Sequence, residues 1–326
     1  MTAITLIEAV TQALAYSLEH DPDVVVFGED VGGNGGVFRA TVGLQQRFGE
    51  KRVFDTPLSE NLIAGLAVGL SSQGIKAVAE IQFSGFIHAA MDQLFSHASR
   101  LRNRTRGRLS CPLVIRSPSG GGIHAPEHHS ESLEALFAHM PGLKVVIPSL
   151  PQQAYGLLLA AIRDPDPVIF FEPTRVYRKV KQIVPDDGKA LPLETCFIHR
   201  TGTDITLVSW GAMMYETLQA ADLLAQNGIS AEVIDVATIK PLDMNTILES
   251  VEKTGRCVII QEAALTCSVA SEIAAQLAEY GLTSLLAPVK RVSGYDTIMP
   301  LYRLEESYIP SVEKIITAIE EVMEYA

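Results

Sequence analysis

Basic residues are in short supply: 26 lysines and arginines stand against 38 aspartates and glutamates, a net charge of -12. A surface of that sign has little to neutralise a phosphate backbone with, which excludes nucleic acid as the partner. The one local exception is a basic run, Arg100, Arg102, Arg104, Arg106 and Arg108, which reads as a solvated helix end or an interface. Cysteine is scarce too: Cys111, Cys196, Cys257 and Cys267 stand too far apart for a CxxC pair or a zinc finger. Reduced thiols in a cytosolic or organelle-matrix protein are the plain interpretation, and the cytoplasm is the expected setting. No apolar run reaches the roughly 20 residues that a membrane-spanning helix needs. The first twenty residues read as an amphipathic helix with Glu8 near its start, not as a targeting segment, so no membrane partner is expected. GxGxxG, GK[ST], GxSxG and HExxH are all missing, and with them the simplest dinucleotide, P-loop, hydrolase and zinc-protease readings.

What is present is apolar residue, 47% of the chain, and at 326 residues that is enough for two cores. Ile7, Val10, Leu14 and Leu18 give a first helix its buried face. Short all-apolar runs follow at Val24–Phe27, Val53–Phe54, Ala77–Ile81, Pro112–Arg116, Lys144–Ile147 and Val168–Phe171, the pattern of parallel strands covered on both faces. Helical segments separate them, at Glu60 onward, about Phe86 to Leu101, and about Gln152 to Ile162. This alternation predicts a doubly wound α/β domain. Periodicity fades from Glu172 to Thr203, where Pro173, Pro185, Asp186-Asp187-Gly188 and Pro192 break the chain. We place a first domain at 1–185, a linker at 186–203 and a second α/β domain at 204–326. In the second domain, strands are expected at Ile205–Ser209, Ala231–Val236, Cys257–Gln261 and Ser284–Ala287, with a last helix at Val312–Met323. Little obvious chemistry is visible there.

Ligands of open α/β sheets gather outside the carboxyl ends of strands. Three stretches of the first domain fall at such ends. One is Asp55-Thr56-Pro57-Leu58-Ser59-Glu60, where Ser59 caps a helix and Glu60 opens it. Alone, Glu60 does no more than complement the helix dipole. The small residues behind it, Ala64, Gly65, Ala67 and Gly69, let a ligand or another backbone approach. A carboxyl group between apolar walls is suited to holding a proton. The second stretch is Gln82 to Phe86. The third is the glycine-rich loop Gly120–His129 with His124, His128 and His129. Those histidines lack a metal-site frame; on a loop over a pocket they suit proton transfer near neutral pH. The glycines at 32–36 fit no phosphate-binding spacing and read as a mobile or interface loop.

The stretches DTPLSENLIAGLAVGL, AEIQFSGF with MDQL, IRSPSGGGIHAPEHHSES, GLKVVIPS and the segment from Phe170 to Arg178 resemble the beta subunits of thiamine-diphosphate-dependent 2-oxo acid dehydrogenases, the E1 components. The resemblance covers essentially the whole chain. It implies a pyrimidine-type domain followed by a transketolase C-terminal-like domain. It also implies an α2β2 heterotetramer, in which the alpha subunit holds the diphosphate and Mg2+, and a lipoyl-bearing E2 acyltransferase as the next partner. In line with that division, no GDG motif with a following Asn pair occurs here. By resemblance Glu60 contacts the pyrimidine ring and drives loss of the cofactor's reactive proton. Leu58 and Phe86 pack on that ring, Gln82 lines the pocket and His129 faces the reactive carbon. His124 is a neighbour and His128 scaffold. The family can also bind K+ through main-chain carbonyls, at positions matching Leu113, Val114, Ala161, Asp164 and Asp166. Pyruvate is the preferred substrate, on the route from glycolysis to acetyl-CoA, since SGFIHAAMDQL and GGGIHAPEHHSES look closest to bacterial pyruvate-type sequences. Branched-chain 2-oxo acids and acetoin are the near alternatives, and an idle assembly scaffold is the alternative of a different class.

Overall fold

The computed structural model describes residues 2–325. Strand β1 (Ile4–Thr5) leads into helix α1 (Leu6–His20), whose start is fixed by a reciprocal cap: the Glu8 carboxylate accepts from Thr5 N at 2.7 Å, and Thr5 Oγ1 accepts from Glu8 N. Then come β2 (Val24–Gly28), α2 (Leu44–Phe48), β3 (Val53–Asp55), α3 (Glu60–Ser72), β4 (Lys76–Glu80), α4 (Leu101–Arg104) and β5 (Leu113–Ser119). They are followed by α5 (Glu134–His139), β6 (Lys144–Val146), α6 (Pro151–Arg163), β7 (Val168–Pro173) and β8 (Lys181–Gln182). The second half holds β9 (Phe197–Arg200), β10 (Ile205–Ser209), α7 (Met213–Gln226), β11 (Ala231–Asp235), β12 (Thr238–Lys240) and α8 (Met244–Thr254). It ends with β13 (Cys257–Ala264), α9 (Val269–Tyr280), β14 (Lys290–Gly294), α10 (Tyr302–Tyr308) and α11 (Val312–Met323).

The first sheet has seven strands in the order β12-β6-β7-β5-β4-β2-β3, and only the β12–β6 pair is antiparallel. The second has five, β14-β13-β10-β11-β9, with β9 antiparallel. Alternate residues of the apolar runs serve opposite faces. Val26, Val78, Val114 and Phe170 pack under α1 and α6, whereas Phe27, Ala79, Ile115 and Phe171 pack with Ile63 and Ala67 of α3. That second layer continues without a break into Val208, Trp210, Ile234 and Ile273 of the other half. The two sheets therefore share a core. They also interlock: β12 follows β11 in sequence yet pairs with β6 at the edge of the first sheet.

Three expectations change. The helix expected from Phe86 to Leu101 is instead a 3-10 segment (Ser84–Ala90), a π turn (Asp92–His97) and a further 3-10 turn before α4. Tertiary bonds hold it: Ser84 Oγ donates to Glu131 O at 2.6 Å, and Asn61 Nδ2 to Ala89 O at 3.4 Å. Irregular helix of this kind marks constrained sites. The last strand lies at Lys290–Gly294 rather than Ser284–Ala287, because Pro288 has no N–H to give a ladder and pairing with β13 begins beyond it. The stretch read as a linker, 186–203, contains β9, which pairs with β11.

Candidate active site

Because β5, β4, β2 and β3 are neighbours and parallel, their carboxyl ends form one edge. Four segments leave from it. β2 delivers Glu29, β3 delivers Leu58 and Glu60, β4 delivers Gln82 and Phe86, and β5 delivers the histidine loop. Ser59 Oγ accepts from Leu62 N and starts α3, so Glu60 occupies the first turn, where the unpaired N–H groups favour a negative charge. Glu60 is half-buried. Leu58 beside it is 70% exposed and Leu62 is exposed as well, an apolar rim that this chain leaves uncovered. The Glu29 carboxyl is pushed above the usual carboxylate range by burial and by the neighbouring charges of Asp30 and Glu60.

The aromatic groups converge on one histidine. His129 lies 4.3 Å from Phe83 and 5.0 Å from Phe86 between ring centroids, both edge-on. Phe38 closes on Phe83 at 5.4 Å. The His129 Nδ1 atom is buried with no hydrogen-bond partner among the described residues. His128 is exposed, and its main-chain carbonyl abuts Gly85 so closely that no side chain fits there. His124 takes a left-handed φ of 59° and keeps its ring in solvent, with Nε2 3.8 Å from Glu305. The fold thus brings Phe86 and His129 into contact and sets Glu60, Leu58 and Gln82 along the same edge. Glu29, Phe83 and Phe38 were missed. Glu29 was within reach of the strand-end rule, since it directly follows Gly28 of β2.

Below the edge, Arg116 of β5 is buried among Glu80, Glu172 and Tyr177. It donates to Glu172 through Nε at 2.7 Å and Nη2 at 3.0 Å, and to Glu80 through Nη1 at 2.8 Å. Tyr177 Oη donates to Glu172 at 2.6 Å. The positions matching a K+ site lie at the other end of the sheet. There Cys111 N donates to Pro165 O at 3.0 Å and ties the start of β5 to the turn after α6. The Ala161 carbonyl accepts from Asp164 N, while the side chains of Asp164 and Asp166 are engaged by Lys144 and Arg102. Leu113 and Val114 lie in the ladder of β5. Of the basic run, Arg102 makes this ion pair and Arg104 bonds Ser96 O, and all five arginines are exposed. The second domain, where little chemistry was expected, does reach the site: its buried Glu262 and Glu305 bond the backbone of the histidine loop.

Two family models divide the chain: "Transketolase, pyrimidine binding domain" matches residues 2–180 and "Transketolase, C-terminal domain" residues 195–315. The pyruvate dehydrogenase E1 component subunit beta of Bacillus subtilis (strain 168) is 48% identical over 325 residues, covering 100% of both chains. The chain belongs to the family of pyruvate dehydrogenase E1 component beta subunits. The protein of the same name from Acholeplasma laidlawii is 49% identical over 98% of both chains. A solved structure, an inactive beta4 tetramer of a split-gene transketolase, matches with a TM-score of 0.80 over 99% of each chain at 23% identity, and so speaks for the fold. This family depends on thiamine diphosphate, and the two relatives named above are pyruvate-type members of it. The residues present fit one half of that cofactor's site: a carboxylate at a helix start, an aromatic edge and an imidazole nitrogen still without a partner.

Proposed function

We propose that this chain supplies the pyrimidine half of a thiamine-diphosphate site and works as the beta subunit of an α2β2 pyruvate dehydrogenase E1. Pyruvate loses carbon dioxide there. The remaining acetyl group, oxidised by two electrons, passes to a lipoyl group of E2 whose disulfide is reduced. The observation that carries this reading is the open edge: Glu60 is poised at a helix start beside an apolar Leu58 that nothing in this chain covers. A second chain carrying the diphosphate and Mg2+ half would complete it. When bound, the cofactor supplies the nucleophilic carbon and the electron sink.

The chain's own residues have separate tasks. Glu60 would hold a proton toward the pyrimidine ring. Leu58 and Phe86 would pack on it, Gln82 would line the pocket, and the uncovered apolar rim, once closed by the partner, would exclude water and strengthen each polar contact. His129 gives and takes a proton as the acetyl group leaves for the lipoyl sulfur. The backbone carbonyls of Leu113, Val114, Ala161, Asp164 and Asp166 are the proposed K+ ligands. The working units are residues 1–185 and, because β9 belongs to the second sheet, 197–326, and the setting is the cytoplasm.

The test uses the protein tagged and isolated from its own cells. Thiamine-diphosphate-dependent ferricyanide reduction is assayed with pyruvate, 3-methyl-2-oxobutanoate and acetoin in parallel. Pyruvate activity together with a co-purifying second chain is the expected result. Preference for either other substrate would overturn the pyruvate assignment, and a lone inactive chain would overturn the half-site.

A further inference from the structure

Three consecutive glycines open the histidine loop; Gly120 and Gly122 have left-handed φ values of 81° and 83°, and all three also lie close against groups outside the loop. A side chain at Gly120 would stand 2.7 Å from Glu262 Oε1, and one at Gly121 would stand 2.6 Å from Met299 Cε. One at Gly122 would collide with Arg175, which is itself paired with Glu216 of α7. The loop backbone thus lies close against Glu262 and Met299 of the second domain and against Arg175 of the first.

Hydrogen bonds follow the same path. Glu262 of β13 accepts from Gly121 N at 2.6 Å and from Ser132 Oγ at 3.4 Å. Glu305 of α10 accepts from Gly122 N at 2.6 Å through one oxygen and from His124 N at 3.1 Å through the other. Glu305 is 2% exposed, and each of its two carboxyl oxygens is engaged by the loop backbone. Between them they hold a residue, His124, in a left-handed conformation that a non-glycine residue adopts only when its surroundings impose it. Five residues further on, the same loop places His129 against Phe83 and Phe86.

We infer that Glu305, seconded by Glu262, is a positioning residue for this loop: the C-terminal domain sets the geometry of His129 without contributing a group that touches substrate. The inference rests on the function proposed above for its kinetic part only. Replacing one accepting oxygen by an amide turns a donor toward a donor, so Glu305→Gln loosens the loop while preserving volume.

The experiment uses the assembled enzyme with its alpha chain. Hydrogen exchange of the peptide spanning 120–131 should quicken about tenfold in Glu305→Gln, with peptides of the first sheet unchanged. Acetyl transfer to a lipoyl domain should fall about tenfold in kcat, while ferricyanide reduction with pyruvate falls less than about threefold. Glu262→Met, which removes the acceptor of Gly121 N on a different element, should reproduce the pattern if Glu305→Gln does not fold. Unchanged exchange, or equal losses in the two activities, overturns the inference. A wild-type enzyme with no thiamine-dependent activity would instead defeat the proposed function, and the exchange measurement would still decide whether Glu305 holds the loop.

Discussion

Two sets of carboxylates stand on the first sheet, and the fold treats them in opposite ways. Glu80 and Glu172 are buried within the sheet, and Arg116 and Tyr177 satisfy them. Burial pushes Glu80 toward its neutral form and the Arg116 charge opposes this. Glu60 and Glu29 lie at the carboxyl edge with no cation bonded to either, each within reach of the other's charge. A satisfied cluster of this kind holds strands in place, and its members have no free valence for a ligand. The edge pair has no ion-pair partner among the described residues and is left available for binding. Acidic side chains carried by one sheet and the helix that follows it thus differ in role because one set is closed by its own chain and the other is not.

That contrast can be broken at four places. The largest effect is expected at Glu60: Glu60→Gln should lower the proposed activity by about 10²–10⁴-fold while the chain still assembles with its partner. Steady-state rates and gel filtration decide it, and full activity would remove Glu60 from the site. Arg116→Met should act on stability, by about 3–5 kcal/mol, because it strands two buried carboxylates. Denaturant unfolding measures this, and a loss under about 1 kcal/mol would show that the cluster does not hold the sheet. His129→Ala should depress transfer to lipoyl groups at least about tenfold more than ferricyanide-coupled decarboxylation. Equal losses would contradict the role assigned to it. The smallest effect belongs to Glu29. Its carboxyl holds a proton more tightly in the folded chain than the ordinary value of 4.5, so it costs stability once the pH rises above that value. Below that value both states carry the proton and the cost vanishes. Glu29→Gln should therefore raise the melting temperature at pH 7.5, by an amount that shrinks as the pH is lowered. A gain of the same size at every pH would show that charge is not its source.

Much of the architecture was legible because it is written locally. Val24–Phe27 and Val168–Phe171 are apolar at consecutive positions, and only a strand covered on both faces uses such a run. Pro151 at the first turn of α6 and Ser59 at the start of α3 announce their helices. The edge site was legible by the same logic, since Glu60, Gln82 and the histidine loop each follow a strand. The segment after Gln82 was not: its periodicity is helical, and bonds to Glu131 and Asn61, close in space and distant in sequence, make it irregular. Neither Glu262 nor Glu305 carries any local sign of its task, because a buried glutamate on a strand or short helix looks like any other until the backbone it meets is known.

The amino-acid sequence by itself determined the parallel strands, the capped helices and the residues offered at the sheet's carboxyl edge, because hydrophobic period, capping and strand-end chemistry are properties of neighbouring residues. The tertiary structure alone decided that β12 crosses to the first sheet, that one core runs through both halves, and that the second domain grips the histidine loop. The first and the last of those depend on atoms more than ninety residues apart coming within bonding distance, the second on packing between distant stretches, and no local pattern encodes which distant partner a buried carboxylate or an edge strand will find.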